Sequence, residues 1–373
     1  MNRNDGVDLL RGFCILSVIL LHCAIHMPLS HQFLPTALNN IIFRSGYYGV
    51  IIFFVISGFL ITSTCLRRWG NLNSVHVIAF YRMRFARIAP CLFLLLIILS
   101  VLNLLHINGF MIYTTLLSQA IISALTFHIN YLEAKTGYLP ANWDVLWSLS
   151  IEEMFYLFFP IACLLFQNRF HFVLLMLAFI LIAPFSSTLT HNEIWSSKSY
   201  FSCMDGIAVG CLCAIISNDF KFNNKKLSVI LYSGLSLFSF IFFFRHFSYE
   251  MGVTKIGLNN TLLEIGVGMI LIVLQQRNRP GYFWTAPLRW FGRNSYEIYL
   301  THAFIVITFS LTVFNKQQSD FHIIVLYLIT IILSGLVGKG VATCFSEPMN
   351  RWIRSRKFDF KKHITSAAAN SGN

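Results

Sequence analysis

Ten apolar runs dominate this chain, near 7–27, 47–66, 88–105, 147–166, 172–190, 201–217, 228–245, 259–275, 294–314 and 321–345. About 17 to 25 helical residues cross the hydrocarbon of a bilayer, and within lipid only helices or closed barrels satisfy the backbone. With 56% hydrophobic and 12% charged residues, the chain lacks the polar surface a water-soluble protein needs. The expected fold is an all-α, polytopic transmembrane helix bundle of about ten spans. The first run carries Asp8 and Arg11, which separates it from the apolar region of a cleavable signal peptide.

Charge sets the expected orientation. With ten spans, 20 of the 28 Lys and Arg lie on the side of the N-terminus, six lie opposite, and Arg11 and Lys339 fall within runs. The positive-inside bias makes the crowded side cytoplasmic, with both termini there. Residues 113–132 are a further candidate, interrupted by Gln119, His128 and Asn130. A crossing there would carry the Lys221–Lys226 and Arg277–Arg293 clusters outside, so the segment is expected to be interfacial or re-entrant, within an external stretch 106–146. Residues 1–350 are read as one transmembrane domain and 351–373 as a basic, partly disordered cytoplasmic tail. The net charge of +13 then reflects topology, and no nucleic-acid partner is implied. The nine Cys read as small hydrophobes.

An ionisable group inside hydrocarbon costs at least about 2.5 to 3.5 kcal/mol, so each one asks what compensates it. Arg11 and His22 lie eleven residues apart, within about 20° on one helix face and roughly 16 Å apart along the axis. Asp8 and His26 flank the same stripe. His22, His26 and His31 suggest a metal site, but no carboxylate at suitable spacing joins them, and no metal is expected. In the fourth run Ser148, Glu152 and Tyr156 share a stripe while Glu153 points elsewhere. Trp147 reads as an outer-interface anchor, which would put both glutamates near the depth of His22, where a carboxylate orients an imidazole. Asp205 is a lone acid with no partner visible in the sequence. In the ninth run Asn294 and Glu297 read as a capping box, while His302 lies deeper, on a face with Ser295 and Tyr299.

Arg82, Arg84 and Arg87 precede the third run. Positive-inside anchoring explains them, yet Arg84 and Arg87 at i, i+3 are also spaced to grip a phosphate jointly. No phosphate-binding loop of the nucleoside-triphosphatase type is present.

Five blocks together resemble the membrane acyltransferase 3 family: Arg11-Gly12 followed by His22; Gly49-Val50 leading to Phe53-Phe54-Val55-Ile56-Ser57-Gly58-Phe59-Leu60; Arg84-x-x-Arg87-Ile88-x-Pro90; Trp147-Ser148-Leu149-Ser150-Ile151-Glu152-Glu153-x-Phe155-Tyr156; and Ser295-Tyr296-x-Ile298-Tyr299-Leu300-x-His302. The family's Asp after Gly-Val is here Ile51. The resemblance implies a multi-pass enzyme of the bacterial inner membrane that takes an acyl group, usually acetyl, from cytoplasmic acyl-coenzyme A and esterifies a hydroxyl of an envelope glycan such as O-antigen or exopolysaccharide, free or lipid-linked.

By position, the resemblance makes Arg11 and His22 the essential pair, gives Arg84 and Arg87 to the basic motif with Arg82 beside them, and sets Glu152 and Glu153 near the acceptor. Ser57, Ser148, Tyr156, Asp205 and His302 complete the candidate set. Some relatives carry an extracytoplasmic SGNH hydrolase-like domain. This chain is expected to lack it, so any partner that completes transfer would be a separate periplasmic protein. The expected mechanism has His22 as general base or transient acyl carrier, a glutamate orienting it, and Arg11 countering phosphate or oxyanion charge. The competing reading is a secondary transporter or flippase of a glycan or small solute, whose usual internal repeats are not evident here.

Overall fold

The computed structural model describes residues 4–30, 33–166 and 168–355. The tail from 356 onward and His31 lie outside the described residues. Ten long helices build the bundle: α1 (Asp5–His26), α2 (Gly46–Trp69), α3 (Val77–Leu104), α4 (Leu146–Leu165), α5 (Arg169–Thr188), α6 (Tyr200–Asp219), α7 (Asn224–Phe243), α8 (Leu258–Arg277), α9 (Ser295–Thr312) and α10 (Asp320–Val341). The described residues contain no strand, and nine of their helical segments are long and apolar enough to cross a membrane. The exception, α9, has 18 residues, and Tyr296, Glu297, Tyr299 and His302, which it turns toward the interior, lower its hydropathy. Within 113–132 the chain forms two short helices, Leu117–Leu125 and Ile129–Thr136, parted at Phe127, whose φ is +60°. Neither is long enough to span.

Several contacts define one end of the bundle. Asn4 caps α1, its Oδ1 accepting from the backbone of Gly6 and Val7, while its Nδ2 donates to Leu274 O near the end of α8. Asp5 pairs with Arg289 of the short helix Ala286–Arg293 that leads into α9. At the start of α3, Arg82 donates to Ile353 O in the terminal helix Glu347–Ser355. This end is called the N-terminal face below.

Close packing in lipid relies on small residues, because the apolar solvent gives helices little other reason to associate. At the crossing of α2 and α6 a Cβ on Gly58 would lie 2.0 Å from Ile207 O, and one on Gly210 would lie 2.1 Å from Val55 O. The two backbones touch. At the crossing of α1 with Ala286–Arg293, Gly12 and Gly292 allow an equally close approach, to Leu288 O and Asp8 O.

On the opposite face, the segment before α4 folds back into the bundle and is held by a buried ion cluster. Lys198 Nζ lies 2.8 Å from Glu133 Oε2 and 2.5 Å from Asp144 Oδ1. Burial pushes the Glu133 carboxyl well up, Asp144 adds to the rise, and the Lys198 ammonium opposes it. Replacing Lys198 with Met leaves the charged Glu133 uncompensated and is expected to cost about 3 to 5 kcal/mol of stability at neutral pH. Because the folded-state affinity of Glu133 for its proton is raised, the proton favours the folded state. The variant should therefore regain stability as pH falls toward the ordinary carboxylate range and lose it as pH rises. Melting in detergent across pH 5 to 8 checks this, and a wild-type melting temperature at pH 8 would contradict it.

Candidate active site

A cavity of about 720 Å³ opens at the N-terminal face between α1, α2, α3, α4 and α9. Its outer wall carries Arg67, Arg84, Arg87, Arg293 and Arg354. Arg67, Arg293 and Arg354 look in the sequence like ordinary positive-inside anchors, so their convergence with Arg84 and Arg87 is a finding of the fold. Arg84 lies over the Tyr156 ring at 4.6 Å and Arg87 over the Tyr296 ring at 5.2 Å. Arg87 also pairs with Glu297 at 3.3 Å. Glu297 is buried and accepts from Ser346 Oγ at 2.8 Å, so it is not the capping-box residue its sequence position suggests. Ser346 belongs to a π-helical turn, Ala342–Ser346, a deviation frequent at functional sites.

Arg82 does not line this cavity. Its guanidinium donates to the carbonyls of Ile353 and Arg354 and ties down the terminal helix, which corrects the expectation that it joins Arg84 and Arg87.

Deeper in, Asp8 and Arg11 of α1 face Ser57 of α2 and Glu152 and Tyr156 of α4, all lining the cavity. Arg11 Nε donates to Ser295 Oγ at 3.1 Å, and Arg293 Nε approaches Asp8 Oδ2 at 3.4 Å. Tyr156 donates to Glu152 at 3.2 Å and shares a hydrogen bond with Ser57. The stripe of Ser148, Glu152 and Tyr156 therefore exists, but at a different depth from the one expected. Trp147 is buried, stacked on Tyr47 and edge-on to Phe54, and is no interface anchor. Asn142 reaches Leu300 O at 2.6 Å, and Trp143 is fully buried. Helix α4 thus begins inside the bundle, and by Leu157 it already meets Tyr81 at the N-terminal face. Glu152 is consequently a neighbour of Arg84 and makes no hydrogen bond to His22. The partners of the His22 ring nitrogen are Val18 O and His302 Nε2, so neither glutamate orients that imidazole.

Ser148 and Tyr299 line the cavity on the side of the histidines. The Tyr299 hydroxyl lies 2.7 Å from Ser148 Oγ and donates to Val145 O at 3.1 Å. Directly behind stand His22 and His302, ring centroids 4.9 Å apart, with His302 Nε2 and His22 Nδ1 at 3.3 Å. His302 is fully buried, while His22 keeps some accessible surface. Sequence spacing put Tyr299 and His302 on one face of α9, but their pairing with α4 and α1 is visible only in the fold.

Asp205 stands apart from the cavity. It accepts from Thr261 Oγ1 at 3.1 Å and lies beside Glu264, both acids buried between α6 and α8. Its partner came from a helix some sixty residues away, out of reach of any local reading. Eight of the nine Cys are buried singly, and Cys344 is exposed.

The sequence matches the acyltransferase domain family over residues 4–339. It is 26% identical over 351 residues to the peptidoglycan O-acetyltransferase OatA of Listeria monocytogenes, covering 84% of this chain and 51% of that protein. It is 25% identical over 367 residues to the O-acetyltransferase OatA of Staphylococcus aureus strain NCTC 8325, covering 90% of this chain and 55% of that protein. The chain spans about half the length of these curated relatives, and no solved structure matches it. A multi-pass bundle and a family match over nearly its whole described length make this chain a member of the membrane acyltransferase 3 family.

Proposed function

We propose that this protein is an O-acetyltransferase of the bacterial inner membrane that moves acetyl from cytoplasmic acetyl-coenzyme A to a hydroxyl of a cell-envelope glycan. The observation that carries it is the cavity with five arginines toward its mouth and the Tyr299–His302–His22 contact at its inner part. Arg forks suit phosphates, so the nucleotide end of the donor lies at the N-terminal face and its thioester points inward. The excess of Lys and Arg on that side supports a cytoplasmic orientation. The names of the two relatives support a glycan acceptor.

In the step we infer, the acyl end passes the Ser148–Tyr299 pair and His22 Nε2 takes the proton of the acceptor hydroxyl. The hydroxyl oxygen bonds to the thioester carbon, the C–S bond breaks, and the departing thiolate receives the proton from the imidazolium, while Arg11, nearer the N-terminal face, counters the phosphate charge of the donor.

The test is incubation of the purified full-length protein in lipid with labelled acetyl-coenzyme A and candidate glycans. Arg84→Ala and Arg87→Ala should each raise the KM for donor about tenfold or more, the loss of one charged hydrogen bond. Absence of glycan acetylation together with uptake of solute into vesicles without coenzyme A would overturn the reading in favour of a transporter.

A further inference from the structure

The hydrogen bonds around the histidine pair fix both tautomers. His302 Nδ1 faces two backbone carbonyls, Tyr299 O at 2.8 Å and Ile298 O at 3.2 Å. A carbonyl oxygen only accepts, so Nδ1 carries the hydrogen and the neutral ring's Nε2 is left with a lone pair. That lone pair faces His22 Nδ1 at 3.3 Å. His22 Nδ1 also faces a carbonyl, Val18 O at 2.9 Å, so it too carries a hydrogen, shared between Val18 O and His302 Nε2. The opposite assignment would set ring lone pairs against three carbonyl oxygens. The nitrogen of His22 left with a lone pair is then Nε2.

We propose that His302 is the positioning residue for His22: it accepts the Nδ1 proton, holds the ring in one tautomer and stabilises the imidazolium that forms when Nε2 takes a proton. The carboxylate of a hydrolase triad has the same duty. Here a neutral imidazole performs it, anchored by the carbonyls of its own helix, and the glutamates of α4 take no part. The inference rests on His22 as the base.

The charged and titratable groups near His22 are His26 on its own helix, His302 and Tyr299 on α9, Asp144 ahead of α4 and Lys198 ahead of α6. Removing the acceptor at His302 leaves these in place and withdraws support from the imidazolium.

The experiment is acetyl-transfer kinetics on the full-length protein in lipid. His302→Leu should lower kcat about tenfold or more with donor KM unchanged, and should move the acid limb of the kcat profile to lower pH. His302→Gln, whose amide carbonyl offers an acceptor at similar reach, should lose only about threefold. In the wild-type protein, nitrogen-15 NMR of labelled histidine should show His302 protonated at Nδ1 and bare at Nε2, the acceptor state the inference needs, and a proton on His302 Nε2 overturns it even if the Leu variant does not fold. A wild-type rate and pH profile in His302→Leu, or a proton on His22 Nε2, overturns the inference. Full activity in His22→Ala is a different failure, because it removes the base itself.

Discussion

Replacing His22 with alanine is expected to reduce acetyl transfer about 10²- to 10⁴-fold, the usual worth of a positioned general base, while leaving the KM for donor near its wild-type value. The split follows from geometry. The arginines line the cavity, whereas His22 does not. Loss of the imidazole therefore removes the proton acceptor without touching the binding walls. Steady-state kinetics with labelled donor separate the two quantities. Acid quenching during turnover distinguishes the two chemistries: a base leaves no acetyl on the protein, and an acyl carrier leaves it on the His22 ring. Wild-type transfer by His22→Ala would refute the assignment outright.

The second large effect concerns stability. Gly210→Val should destabilise the protein by about 3 kcal/mol or more, because the new side chain must start 2.1 Å from Val55 O and 2.7 Å from Phe59 N. Backbone cannot step aside as a flexible side chain can, so α2 and α6 must separate. Gly58→Val should act alike from the other helix, with Ile207 O at 2.0 Å. Ser57, beside Gly58, lines the cavity and bonds Tyr156, so activity should fall with the packing. Gly340→Ala serves as the control, since nothing lies within 4 Å of its added carbon. Thermal unfolding in detergent reads all three, and equal melting temperatures for Gly210→Val and wild type would refute the packing argument.

Residues spaced along one helix were the most legible part of the site. The stripe of Asp8, Arg11 and His22 on α1 needed only the helical period, and Arg11 and Asp8 do line the cavity that leads to His22. Ser148, Glu152 and Tyr156 likewise share their face. Depth was less legible, because hydropathy locates an apolar run but not where its helix starts relative to the bundle. Trp147 could equally anchor at an interface or pack in a core, and only the fold-back of Asn142 and Trp143 decides for the core.

By itself the sequence determined the all-α membrane bundle, the candidate spans and the polar faces of individual helices. These rest on local physics: the cost of a buried charge, the helical period and the thickness of lipid. Tertiary structure alone decided which faces meet. It joined Arg67, Arg293 and Arg354 to the Arg84 and Arg87 pair, sent Arg82 to the terminal helix, gave Asp205 to Thr261 and Glu264, moved Glu152 beside Arg84, and set His302 against His22. Such pairings join residues up to 280 positions apart. In an apolar solvent they are selected by backbone close approach at glycines and by satisfaction of buried polar atoms, and neither leaves a periodic mark on one segment of sequence.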